Sequence, residues 1–134
     1  MKNFGYCVWY VLEGNHQWHN YTDEFTCHIT IKKELTFHEA VRLYHSIEPV
    51  EREIEIDKQM IKDDDGFLSM YYTIKEIEDK PEWIPNDAHI SFMYKYNGMI
   101  EFQKEMKPRS GRFNKIALVC CDGHYRDWKI IDIK

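Results

Sequence analysis

With 134 residues and a formal net charge of −5, the chain is long enough for one domain with one core, 1–134, and hardly for two. Its acidic balance argues against a general binder of long nucleic acid, whose affinity comes mainly from cations on phosphates, but leaves room for one small anion in a local pocket. Cys7, Cys27, Cys120 and Cys121 form no Cys-x-x-Cys pair, disulfide framework or zinc spacing, and the N-terminal apolar run is too short for a membrane span and lacks a small-residue cleavage site. The expectation is a cytoplasmic protein with no membrane partner.

In chain order, residues 5–13 are β-branched and aromatic and read as a strand. Residues 14–23 are a polar loop carrying His16, Trp18 and His19. Residues 25–34 read as a second strand. Residues 36–47 are the best helix: Thr36 and Glu39 have capping-box spacing, Phe37, Val41 and Tyr44 share a face, and Pro49 stops it. Residues 51–62 and 67–77 alternate and face each other across a turn at Asp65-Gly66. Residues 79–87 hold two prolines and read as a loop, and 89–96 as another strand. Residues 98–114 are ambiguous, a short helix to Met106 and then a loop. Residues 115–122 and 126–133 read as a closing hairpin around Gly123. This order predicts an α+β fold with antiparallel pairing.

Two pentapeptides stand out. Residues 27–31 read CHITI and residues 88–92 read AHISF. On a strand, positions i and i+2 share a face. His28 and Thr30 therefore look one way, and Cys27, Ile29 and Ile31 the other. His89 and Ser91 likewise share a face, opposite Ile90, Phe92 and Tyr94. If the two strands are neighbours, two imidazoles and two hydroxyls converge on one groove. Such a quartet suits phosphodiester chemistry: one imidazole takes a proton from the attacking oxygen, the other protonates the leaving oxygen, and the hydroxyls hold the non-bridging oxygens. The bland alternative is a pair of hydrogen-bonded strand histidines.

The paired His-x-(Ser/Thr)-apolar motifs, HITI and HISF, resemble those of the 2H phosphoesterase superfamily, the LigT-like or cyclic phosphodiesterase-like proteins. The resemblance covers nearly the whole chain in layout, but only the two tetrapeptides in detail. It implies two pseudo-symmetric antiparallel lobes around a central cleft, each lobe contributing one motif. It implies His28 and His89 as the acid/base pair, Thr30 and Ser91 as phosphate contacts, and no metal or other cofactor. The implied partner is a small nucleotide or a short or cyclic oligonucleotide. Family members act on 2′,3′-cyclic phosphates, 2′-5′ linkages and cyclic nucleotide signals. Some are viral or phage proteins that destroy immune second messengers, which would place such an enzyme in the host cytosol. Departures are Ile31 and Phe92 where the family often has Leu, and the lack of a long helix after the second motif.

Further substrate contacts are expected from side chains near the motifs. Trp18, in a polar loop, is a candidate base platform, and Tyr10 a weaker one. Lys32 shares the face of Thr30. Arg109 and Arg112 belong to a basic stretch, 104–115, that could close over a phosphate with Gly111 as hinge. His16 and His19, three apart, are a weak metal candidate. Because the motif face is taken as cleft and not core, replacing either motif histidine is expected to leave folding nearly intact.

Overall fold

The computed structural model describes residues 3–22 and 24–134. Asp23, where the polar loop was expected to end, lies outside the described residues.

The elements are β1 (Tyr6–Leu12), β2 (His28–Leu35), α1 (Phe37–Ser46), β3 (Arg52–Asp64), β4 (Phe67–Ile74), β5 (His89–Tyr96), β6 (Ser110–Cys120) and β7 (Lys129–Ile133). The strands form one antiparallel sheet in the order β1-β2-β5-β4-β3-β6-β7, and β6 also pairs with β1. The first six strands thus close into a ring of pairings, with β7 appended to β6. The fold is α+β, as the sequence predicts. Two densely paired groups, β1/β2/β6/β7 and β3/β4/β5, make up the sheet. They meet at two short seams, the single pair Ile29↔Ile90 between β2 and β5 and the stretch Arg52–Glu55 of β3 against β6.

Local chemistry explains the best-predicted elements. Thr36 accepts from the Glu39 amide at 3.2 Å and Glu39 Oε1 accepts from the Thr36 amide at 3.0 Å, so the capping box closes the first turn of α1. Ala40, Tyr44 and the capping Ile47 face inward, and α1 packs on β1, β6 and β2. In the β3–β4 turn, Asp65 and Gly66 both have positive φ, +51° and +86°. Two left-handed positions match the twist of the hairpin strands.

Three segments depart from expectation. Residues 17–21 form a 3-10 turn that buries Trp18. No helix forms at 98–106; the segment is irregular and is tied to β3 through Gln59, whose Oε1 accepts from the Gln103 amide at 2.6 Å and whose Nε2 donates to the Gln103 carbonyl at 3.0 Å. The stretch 110–114, expected as loop, instead starts β6. There a Cβ on Gly111 would lie 2.8 Å from Leu12 and 3.0 Å from Trp18, so glycine serves close packing and not a hinge.

The sheet has two apolar faces. One buries Val8, Tyr10, Leu12, Ile29, Ile54, Ile56, Tyr72, Ile90, Phe92 and Phe113 with α1 and Trp18. The other gathers Cys7, Trp9, Val11, Ala117, Val119 and Cys121, with Phe4 and Trp128 against them. Burying each large aliphatic side chain contributes roughly 1.5–3 kcal/mol before chain entropy is counted.

Candidate active site

The two motif strands are neighbours, and the residues paired across them are the central residues of the motifs. Ile29 pairs with Ile90. The antiparallel sense then sets His28 opposite Ser91 and Thr30 opposite His89. Neighbouring strands extend both rows: Val11 pairs with His28 and Tyr71 with Ser91, while Trp9 pairs with Thr30 and Thr73 with His89. Alternation does the rest. Ile29 and Ile90 are wholly buried in the core, and His28, Thr30, His89 and Ser91 line one cleft on the opposite face.

The cleft has a volume of about 460 Å³, within the range of about 300–1,000 Å³ usual for small-ligand sites. Aromatic rings meet across it. The Phe4 and Phe67 centroids lie 5.7 Å apart and those of Tyr94 and Trp128 5.4 Å apart.

Both imidazoles are anchored the same way. Nδ1 of His28 donates to the Thr26 carbonyl at 2.6 Å, and Nδ1 of His89 donates to the Asp87 carbonyl at a longer 3.4 Å. A carbonyl oxygen can only accept, so Nδ1 must carry the proton. In each neutral ring Nε2 is then the lone-pair nitrogen, free to accept a proton.

Their surroundings differ. His28 is 3% exposed. The Trp9 ring stacks on it at 3.5 Å and 6°, and Phe25 meets its edge at 6.0 Å. Burial pushes its pKa down to about 3, against the pull of the Thr26 carbonyl, and a charge on His89 lowers it further. His89 is an exposed residue, with Tyr71 4.9 Å away. Desolvation of its ring in the cleft wall lowers its pKa, opposed by the Asp87 carbonyl and carboxylate, while Lys33 and Lys62 lower it further.

The hydroxyls also differ. Thr30 is half-buried, and Ser91 is buried with its hydroxyl hydrogen-bonded to that of Tyr94. Alternation predicts Tyr94 on the core face, which is wrong. Met70 pairs with Met93 but Tyr71 with Ser91, so β5 carries one extra residue. This bulge reverses the parity, turning Tyr94 onto the cleft face and Met93 toward solvent. Desolvation raises the Tyr94 pKa, so its hydroxyl stays neutral.

Of the other candidate contacts, only Lys32 reaches the cleft. Tyr10 is wholly buried on the core face, its hydroxyl against the carbonyls of Val50 and Phe113, and burial raises its pKa to about 12. Trp18 is wholly buried too, and its indole N–H donates to the Pro108 carbonyl at 2.8 Å. Neither can serve as a base platform, because the 3-10 turn and the strand parity point both rings into the core. Arg109 donates to the carbonyls of Ile56 and Asp57, and Arg112 stands 4.0 Å from Glu53 across the β3–β6 seam. Both are tied to β3 and lie outside the cleft.

His16 caps the 3-10 turn through Nδ1 and bonds the Ser110 carbonyl through Nε2, and His19 bonds the Glu13 carbonyl. Among the described residues no three His, Cys, Asp or Glu side chains converge in a metal-binding group. Also among them, no helix is long and apolar enough to cross a membrane.

The cleft residues not anticipated include Trp9, Lys33, Lys62, Tyr94 and Trp128. Strand 5–13 signalled Trp9 as facing opposite Tyr10, but not which face met the histidines. Lys62 reaches the site only through the path β3-β4-β5, which no local pattern encodes.

No family model, curated protein or solved structure matches the chain.

Proposed function

We propose that the protein is a metal-independent phosphodiesterase of the 2H type, cleaving a cyclic or 2′-5′-linked nucleotide phosphodiester. The strand groups β1/β2/β6/β7 and β3/β4/β5 would be its two lobes. The single observation that carries the reading is the Ile29↔Ile90 pair, which sets two His-x-hydroxyl dyads in antiparallel register on one cleft.

In this reading His28 is the general base. Burial keeps it neutral at pH 7, with its Nε2 lone pair free. It takes the proton of the attacking water or ribose hydroxyl as the oxygen bonds to phosphorus. His89 is the general acid, being the more exposed ring with the Asp87 carboxylate nearby. It gives the Nε2 proton to the leaving oxygen as the P–O bond breaks. An anionic phosphate in the cleft favours the protonated form of His89 and so helps to load the acid. Thr30 and Ser91 donate to the non-bridging oxygens. Ser91 must turn its proton from Tyr94 to the phosphate, and the Tyr94 hydroxyl then holds the Ser91 oxygen in place.

A second reading, a nucleotide-binding module without turnover, is favoured by the depth of His28, since a base with a pKa of about 3 is weak. Incubation with 3′,3′-cyclic diadenylate, 2′-5′ oligoadenylate and 2′,3′-cyclic AMP in the presence of chelator separates the two. Cleavage of at least one, lost in His28→Ala and His89→Ala, is expected. Binding without cleavage of any would replace the enzyme reading with the binding one.

A further inference from the structure

The cleft is larger than one phosphodiester group needs, and its charge is unevenly placed. Lys32 and Lys33 stand on β2, beyond Thr30. Lys62 stands on β3, in the other strand group, and lines the same cleft. Lys33 Nζ lies 5.0 Å from the Phe4 ring centroid, and Phe4 in turn meets Phe67 of β4 across the cleft. Lys33 and Lys62 thus come to the cleft from different strand groups, and both are near enough to act on His89 electrostatically. The other charged groups lining this region are Asp64 on β3, Asp87 before β5 and Lys32. In a chain of net charge −5, gathering three lysines at one cleft concentrates positive charge where the chain as a whole is negative.

These lysines work against the acid they flank, because cations beside His89 oppose its protonation. An anion seated between them removes that opposition. The cleft, at about 460 Å³, has room for more than the one phosphate at the histidine–hydroxyl quartet. Lysine holds phosphate as a point charge on a flexible stem, so two from different strand groups make a second anion seat without demanding one fixed geometry.

We propose that Lys33 and Lys62 bind a second phosphate of the substrate, adjacent to the one at His28, Thr30, His89 and Ser91. The ligand class is then a nucleotide with two phosphate groups about one nucleotide apart, such as a cyclic dinucleotide or a 5′-phosphorylated 2′-5′ dinucleotide. A mononucleoside 2′,3′-cyclic phosphate leaves the second seat empty. This inference rests on the phosphodiesterase reading only for the placing of the first phosphate.

The test is equilibrium binding of a 2′-5′ phosphorothioate-linked diadenosine, which resists turnover, with and without a 5′-phosphate. The wild-type protein is expected to bind the phosphorylated ligand about tenfold more tightly. Lys33→Ala/Lys62→Ala should erase that preference, lowering affinity for the phosphorylated ligand about tenfold more than for the unphosphorylated one, whereas Lys115→Ala, outside the cleft, should change neither. Equal affinity for both ligands, no binding of either, or parallel loss of both in the double variant would overturn the second seat. Cleavage of unmodified 2′-5′ diadenosine alongside any of these results would leave the phosphodiesterase reading standing. A preserved preference without cleavage of any phosphodiester would do the reverse.

Discussion

The two half-sites share a tetrapeptide pattern and a hydrogen-bonding device, yet sit in opposite surroundings. His28 lies between Trp9 and Phe25 and is nearly sealed, whereas His89 faces the solvent beside Asp87, Lys33 and Lys62. Both are held by a carbonyl two residues upstream, so orientation is common to them and environment is not. Local sequence sets how each ring is hung, and distant strands set its proton affinity. Two imidazoles with different affinities are what a base and an acid require.

The largest effects should fall on turnover. Replacing either histidine with Ala is expected to lower kcat by about 10²- to 10⁴-fold, measured on whichever phosphodiester is cleaved. The folding consequence separates the half-sites. Exposed His89→Ala should leave stability within about 0.5 kcal/mol. His28→Ala removes a stacked, buried ring and leaves the Thr26 carbonyl unpaired, and should cost about 1–3 kcal/mol in a denaturant titration. The burial of His28 under Trp9 and Phe25 thus argues against the expectation that both histidines can be removed without harm to folding.

The same strands offer the reverse contrast on their core face. Ile90→Ala should cost about 2–5 kcal/mol of stability, since Ile90 is wholly buried. If the shared seam sets the site, activity at a temperature where the variant stays folded should fall as well.

Acid should break the comparison on one side. The folded-state pKa of His28 is about 3, against about 6.5 in an unfolded chain. Above pH 6.5 neither state binds the proton and His28 contributes nothing to pH dependence. Between pH 6.5 and 3 the unfolded chain binds a proton that the folded protein does not. Stability should fall there by up to about 1.4 kcal/mol per pH unit from this group. His28→Gln should flatten that part of the stability–pH curve, and His89→Gln should change it less.

The smallest effects should come from the arginines. Arg109→Ala loses two carbonyl partners on β3 and should cost about 1–2 kcal/mol of stability with kcat unchanged. Arg112→Ala breaks only an exposed pair with Glu53 and should stay within about 0.5 kcal/mol. A loss of turnover in either variant would put the basic stretch back in the site.

Much of the frame was legible in the sequence. The α1 cap, the Asp65-Gly66 turn and the alternation of CHITI and AHISF are short-range chemistry, and each is written in a few adjacent residues. What could not be read depends on pairing between distant segments. The bulge in β5 turns Tyr94 to the cleft, and only the β4 register reveals it. Trp18 looked available because its neighbours are polar, but the 3-10 turn folds it inward, where Pro108 takes its N–H. Lys62 is far from both motifs in sequence and reaches them across the fold.

The most direct test of the central claim, that the two half-sites form one active site, is a double-mutant cycle on kcat with His28→Ala, His89→Ala and both together. If base and acid serve one reaction, the double variant should be about as slow as the slower single variant, because each loss already disables the shared step. Independent, multiplying losses, or full activity in either single variant, would contradict the account.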